Sequence, residues 1–286
     1  MSEPARCGAP VTPAIRPLAP LIGAEVAGVD LAGPLEEDAF RTVLGAWHAS
    51  GVILFRGQTL SEEEQVRFAG RFGELGRVLH RHGGASQHHP GVMFVSNIRE
   101  NGEPIGALPD GEMMFHSDQC YVERPTGATL LYALEVPSRG GDTLFASMYA
   151  AYDALPDELK RRLEGRVALN VYDYANASTQ RGRAAADAPR CAHPVFRTHP
   201  VTGRKALYVN RLMTDSIVGM ERSESDALLA QLFDHAENPA WTYVHQWRAG
   251  DLLMWDNRCT LHARTDFDPA ERRLLRRCVV LGEKPY

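Results

Sequence analysis

Phe115-His116-Ser117-Asp118 puts an imidazole and a carboxylate two residues apart. On an extended backbone successive side chains alternate faces, so His116 and Asp118 point the same way and can aim at one point. That is two-thirds of the 2-His-1-carboxylate set that holds non-haem Fe(II) and leaves other positions open. His-x-Asp is a common pair, and by chance alone it sits in many loops. A third candidate, His262, closes Trp255-Asp256-Asn257-Arg258-Cys259-Thr260-Leu261-His262, 144 positions beyond Asp118, on a segment leaving a strand. Beyond it Arg273 and Arg277 lie four apart, so a strand turns both to one face with Leu275 between them. Two guanidiniums on one apolar face are costly unless each finds an anion. Arg holds a carboxylate through two parallel hydrogen bonds. An ordinary internal salt bridge meets the same demand, and the residues alone leave both readings open.

The elements that must position these groups read mostly as short strands: Val52–Phe55, Val92–Ser96, Ala128–Leu134, Thr143–Phe145, Ala206–Asn210, Tyr243–Trp247, Leu252–Asp256 and Arg273–Leu281. Phe40, Val43, Leu44 and Trp47 form an i, i+3, i+4, i+7 stripe for an amphipathic helix over about 36–49. Ser61-Glu62-Glu63-Glu64 is a capping box that opens a second helix, with Gly73 stopping it. Further helices are expected over Met148–Leu163 and Ser223–His235. His80, His82, His88 and His89 lie among Gly and Ser with spacing that suits no compact tetrahedral site, so they read as an exposed or substrate-lining loop. Residues 173–192 are polar and Ala-rich, and such a stretch suits a lid. These readings organise the chain as a flexible, Pro-rich lead-in (1–20) and one domain (21–286) with a lid-like insertion at about 165–192.

Composition excludes several classes. The 286 residues are 44% hydrophobic and 23% charged, as in an ordinary globular protein. A net charge of −5 offers no broad basic footprint for nucleic acid. No apolar run approaches the ~20 residues that span a bilayer, and the N-terminus lacks the apolar core of a signal peptide. The five cysteines, at 7, 120, 191, 259 and 278, are odd in number and never form Cys-x-x-Cys. That favours reduced thiols in a cytoplasm over a disulfide frame or a zinc knuckle. No membrane or nucleic-acid partner is therefore expected, and the chain is expected to assemble with copies of itself.

The combination is more specific than its parts. Gly23-Ala24-Glu25-Val26-Ala27-Gly28-Val29-Asp30, Phe55-Arg56-Gly57-Gln58 and Arg71-Phe72-Gly73-Glu74-Leu75 precede His116-Ser117-Asp118. Gly140-Gly141-Asp142-Thr143, His193-Pro194-Val195, Gly203 through Asn210, and Trp255-Asp256-Asn257-Arg258 through His262 to Arg273 and Arg277 follow it. In order and spacing these blocks resemble the TauD/TfdA family of Fe(II)- and 2-oxoglutarate-dependent dioxygenases over almost the whole chain. The resemblance implies a mainly β fold with flanking helices, the cupin-like double-stranded β-helix or jelly roll. It implies His116, Asp118 and His262 as iron ligands, Thr143 and Arg273 on the distal carboxylate of 2-oxoglutarate, Arg277 toward an anionic substrate group, and Trp255 as a wall near the metal.

The implied oxidoreductase chemistry consumes O2, releases succinate and CO2, and hydroxylates a C–H bond of a small, anionic molecule. Cleavage of a C–O, C–N or C–S bond follows where the attacked carbon carries the heteroatom. Asp118 stands where related halogenases lack a carboxylate, which disfavours halogenation. The run Gln119-Cys120-Tyr121 and the stretch Glu112-Met113-Met114 depart from the taurine-cleaving pattern and argue against taurine. A zinc-dependent or non-catalytic jelly roll is the competing reading, and it leaves Arg273 and Arg277 without a cosubstrate.

Overall fold

The structure, a computed structural model, describes residues 12–76, 88–108, 112–172 and 186–286. Alternation within three apolar strands decides the architecture. In Val52–Phe55, Thr126–Glu135 and Leu252–Asp256, the side chains of Ile53, Phe55, Leu130, Tyr132, Leu252 and Met254 enter one core cluster. Their neighbours Val52, Leu54, Leu131, Ala133, Leu253 and Trp255 enter another. Strands that are apolar on both faces must be covered on both. The helices Glu37–Ser50 and Glu62–Ala69 cover the outer face with Val43, Trp47 and Phe68. A second sheet, which contributes Phe145, covers the inner one.

Among the described residues the larger sheet has seven strands in the order 14–17, 24–27, 52–55, 252–256, 126–135, 274–281, 93–96. The smaller has four, in the order 242–245, 143–147, 260–264, 113–116. Apart from the parallel contact of 24–27 with 52–55, the pairs within both sheets are antiparallel. Two antiparallel sheets facing each other across a shared core form the expected jelly roll. The helices Met148–Asp153, Asp157–Leu163 and Arg222–Ala236 close the outer face of the smaller sheet, where Leu163, Leu228, Leu229, Leu232 and Phe233 pack with Ala146 and Leu261.

Local signals survive well. The Ser61 hydroxyl accepts from the Glu64 amide (3.2 Å) and Glu64 Oε2 accepts from the Ser61 amide (2.8 Å), completing the capping box. Three readings change. The expected helix over 148–163 is two helices, because Pro156 fixes φ and carries no N–H to continue the first. The expected lead-in over 1–20 holds a strand at Ala14–Pro17, paired with Ala24–Ala27, and its residues 1–11 lie outside the described residues. The stretch assigned to an insertion contains Val167–Val171, paired with Arg190–Pro194 and Thr214–Ile217. The centre of that stretch, and His80 and His82, lie outside the described residues. His88 and His89 are tied to Glu62, through the His88 ring (2.8 Å) and the His89 amide (2.8 Å).

Candidate active site

The inner face of the smaller sheet carries the chemistry. Met113–His116 and Thr260–Arg264 are neighbouring strands, and the register sets His116 directly opposite His262. Their rings stand 4.1 Å apart between centroids. The strand ends at His116, so Asp118 reaches the site from the turn that follows and not by strand alternation. One ligand atom from each of His116, Asp118 and His262 lies within 4.8 Å of the other two, and all three residues are buried.

Hydrogen bonding prepares these donors. The His116 Nδ1 faces the Met114 carbonyl at 2.9 Å, which fixes the tautomer and turns Nε2 outward as a ligand. Burial pushes both imidazoles below their ordinary pKa, His262 furthest because His116 also opposes its charge. Both rings are therefore neutral at physiological pH, the form that binds metals. Burial works in the opposite sense on Asp118. Arg277 first, then His262 and His116, overcome that penalty and hold the carboxyl well below the usual carboxylate range. The Asp118 Oδ1 faces His262 Nε2 at 3.9 Å and Arg277 Nη2 at 2.6 Å, while Oδ2 accepts from the Thr129 hydroxyl at 2.6 Å. Two neutral imidazoles and one carboxylate, with no thiolate, fit Fe(II).

Arg273 precedes its strand by one residue, held there by the hydrogen bond its backbone N–H donates to Asn97 Oδ1 (2.9 Å). It is almost wholly buried, yet among the described residues its Nε and Nη1 have no hydrogen-bond partner. Gly141 makes room for it: at φ +67° that residue has a left-handed backbone, and a Cβ there would lie 3.3 Å from Arg273 Nε. Burial, then repulsion from neighbouring Arg264, push the Arg273 pKa down to about 9. A buried cation in that condition calls for an anion. The Thr143 hydroxyl accepts from Trp247 Nε1 (3.0 Å), so its own hydrogen remains to be donated.

All of these groups open on one cavity of about 560 Å³. His116, Asp118, His262, Thr143, Trp255, Arg264, Arg273 and Arg277 line it, with an apolar remainder that includes Met93, Val95, Leu108, Met113, Leu131 and Met213. Tyr121 and Tyr172 pack ring against ring at 4.6 Å on its wall. Gln119, also on the wall, holds a left-handed φ of 55°, and its side chain accepts from the Thr126 hydroxyl at 2.9 Å. The structure thus brings every expected site residue together. Arg277 has an acidic partner, as the internal salt-bridge reading allowed, and that partner is the candidate metal carboxylate itself.

Sequence reasoning passed over Thr129, Trp247, Arg264 and Asn257. Asn257 stood inside the quoted Trp255-Asp256-Asn257-Arg258 block without being given a role, and Arg264 carried a local signal as the residue two beyond His262 on the same strand face. A second buried cluster, His199, Asp256 and Cys259, also brings ligand atoms together. Its carboxylate is already engaged. Arg258 donates to both oxygens (2.8 and 2.7 Å) and His199 Nε2 lies 3.0 Å from one of them.

Comparison with known proteins identifies the family. Residues 14–279 match the model of the family described as taurine catabolism dioxygenase TauD, TfdA family. Pentalenolactone F synthase of Streptomyces avermitilis is 35% identical over 283 residues, covering 92% of each chain. The alpha-ketoglutarate-dependent 2,4-dichlorophenoxyacetate dioxygenase of a Burkholderia species is 34% identical, covering 93% of this chain and 94% of the relative. Among solved structures, AAD-2 in complex with Mn(II) and N-oxalylglycine superposes with a TM-score of 0.81 at 34% identity, covering 96% of this chain and 99% of that one. The chain belongs to the TauD/TfdA family and is an Fe(II)- and 2-oxoglutarate-dependent dioxygenase.

Proposed function

We propose that His116, Asp118 and His262 hold the iron, that Arg273 and Thr143 bind the distal carboxylate of 2-oxoglutarate, and that Arg277 meets an anionic group on a small organic substrate. Arg273 carries this reading: a buried guanidinium with two unpartnered nitrogens shares a cavity with a His/Asp/His set. A dicarboxylate spanning from metal to Arg273 removes the cost of that buried charge. Bound Fe(II), 2-oxoglutarate and O2 supply the oxidative decarboxylation to succinate and CO2 that drives hydroxylation of a substrate C–H bond. The chain's own residues bind, orient and exclude water. Trp255, with its ring 4.7 Å from that of His262, walls the metal position, and the methionines and leucines keep the reacting region apolar.

The substrate reading rests on two features of the same cavity. With Arg273 given to 2-oxoglutarate, the half-buried Arg277 remains as a second guanidinium beside the metal position. It has five N–H donors, and its contact with Asp118 uses one nitrogen. Its partners on the neighbouring strands, Met93 and Leu131, are apolar and also line the cavity. A carboxylate, sulfonate, sulfate or phosphonate on an aliphatic or aromatic body fits both. The named substrate of the Burkholderia relative, 2,4-dichlorophenoxyacetate, has that form. Where the attacked carbon carries oxygen, nitrogen or sulfur, the hydroxylated product breaks that bond.

The scattered cysteines, with no disulfide among the described residues, support a cytoplasmic setting. The exposed Ile15 and Leu21, at a groove that includes Ala46, Ala49 and Trp241, support self-association. Both are parts of the same proposal.

The test is succinate release with Fe(II) and 2-oxoglutarate across a panel of aryloxy and alkyl acids, sulfates and sulfonates, each paired with its methyl ester or amide where one exists. The acid should be preferred by about tenfold or more, equivalent to ~1.4 kcal/mol, and Arg277→Ala should erase that preference. Equal turnover of acid and ester by the parent enzyme would overturn the anion assignment.

A further inference from the structure

Asn257 sits at the turn between the strands Leu252–Asp256 and Thr260–Arg264, with no solvent exposure. Its side-chain oxygen accepts from the Asp118 backbone N–H (3.1 Å) and from the Trp255 indole N–H (3.1 Å). Both are obligate donors, so the amide orientation is fixed and Nδ2 is a donor. Nδ2 donates to Thr129 Oγ1 at 3.0 Å. The Thr129 hydroxyl, already accepting there, is left to donate its own hydrogen to Asp118 Oδ2 at 2.6 Å. The Ser117 hydroxyl also closes on the Asn257 carbonyl (2.9 Å). Asn257 thus grips Asp118 twice, through its amide and, by way of Thr129, through its carboxylate.

The turn is itself anchored. The Asp256 carboxylate accepts from the Arg258 backbone N–H, Nε and Nη2 and faces His199 Nε2, and its carbonyl accepts from the Thr260 hydroxyl (2.8 Å). The polarity of the relay, from Asn257 Nδ2 through Thr129 to Asp118 Oδ2, follows from the first two bonds. The other oxygen, Oδ1, faces His262 Nε2 at 3.9 Å and takes the Arg277 guanidinium at 2.6 Å.

We infer that Thr129 and Asn257 are positioning residues that hold Asp118 to coordination through one oxygen, keeping a position at the metal open for 2-oxoglutarate. The inference rests on the metal and cosubstrate assignment proposed above. A carboxylate with both oxygens unrestrained can take two metal positions, in competition with the two that 2-oxoglutarate needs. Occupying Oδ2 with a short hydrogen bond prevents this, in the way that groups behind a ligand set its orientation.

The test separates two affinities, measured by calorimetry with Mn(II), which binds without turnover. In Thr129→Val, which keeps the size and suits a strand, Mn(II) affinity should stay within about threefold while 2-oxoglutarate affinity falls on the order of tenfold or more. Thr129→Ser should restore the parent value. Asn257→Asp keeps both acceptor bonds but cannot donate to Thr129, whose hydrogen then turns to the new carboxylate. It should reproduce the Thr129→Val split. The Mn(II) electron paramagnetic resonance spectrum should change in both variants and not in Thr129→Ser.

Unchanged 2-oxoglutarate affinity in Thr129→Val and Asn257→Asp would overturn the inference. So would parallel losses of metal and cosubstrate, which mark damage to the fold. If the parent protein itself shows no metal-dependent 2-oxoglutarate binding, the assignment beneath the inference fails instead.

Discussion

Two buried histidine–aspartate clusters lie on either side of Asn257, and only one is built for a ligand. His116/Asp118/His262 and His199/Asp256/Cys259 each gather potential metal donors. They differ in what the carboxylate has left to give. Asp256 has both oxygens committed to Arg258, with His199 added, and Arg258 also stacks on the Trp47 ring at 5.1 Å. The cluster is closed, and it fixes a turn. Asp118 carries one short contact on each oxygen, Thr129 on Oδ2 (2.6 Å) and the half-buried Arg277 on Oδ1 (2.6 Å), so each oxygen keeps a lone pair, and Oδ1 also faces His262 on the wall of the cavity. The lesson is that donor type and proximity do not define a metal centre. Uncommitted lone pairs facing a cavity do.

Exchanging the same substitution between the two clusters gives the largest contrast. Asp118→Ala should abolish hydroxylation and metal binding while the protein remains folded, as read by calorimetry and thermal melting. Asp256→Ala strands a buried guanidinium and should cost about 3–5 kcal/mol of stability, with metal still bound by the folded fraction. A Asp118→Ala protein that hydroxylates at the parent rate would end the distinction.

The two buried arginines sharpen it next. Arg258 is satisfied from within, whereas Arg273 Nε and Nη1 have no hydrogen-bond partner among the described residues. Arg273→Ala should weaken 2-oxoglutarate binding by roughly 2–5 kcal/mol, the range for breaking a buried charged pair. Arg273→Lys keeps the charge without the fork and should fall between. An unaltered 2-oxoglutarate titration in Arg273→Ala would remove that residue from the site.

The smallest expected effect is the response to pH. Burial lowers the folded-state pKa of His116 and His262 below 6.5. The unfolded chain takes up those protons at the ordinary value, so more protons bind the unfolded state as pH falls below about 6.5. Their contribution to the stability of metal-free protein is therefore complete above 6.5 and is lost as pH drops toward the lowered folded values. Mn(II) affinity should likewise stay flat between about pH 8 and 6.5, because no imidazole proton has to leave. A steep decline already within that range would show that the imidazoles titrate at or above their ordinary values.

The sequence by itself determined the inventory and the scaffold: which residues can bind a metal, where the strands run, and where the helix at Ser61 begins. These are short-range properties. Alternation along Val52–Phe55 and Leu252–Asp256, and the reciprocal bonds of a capping box, need only a few adjacent residues. Family-specific spacing extended that reading to His262, Arg273 and Thr143. What only the tertiary structure decided is how each polar group is satisfied. Asn257 meets Asp118 across 139 positions and Thr129 across 128. Arg277 finds its acid in Asp118, and Trp247 meets Thr143 across 104 positions. Any of the 36 acidic residues was a formal partner for Arg277. Hydrogen bonds and ion pairs depend on distances of a few ångströms and on direction, and sheet pairing sets those distances only after the chain has closed into two facing layers.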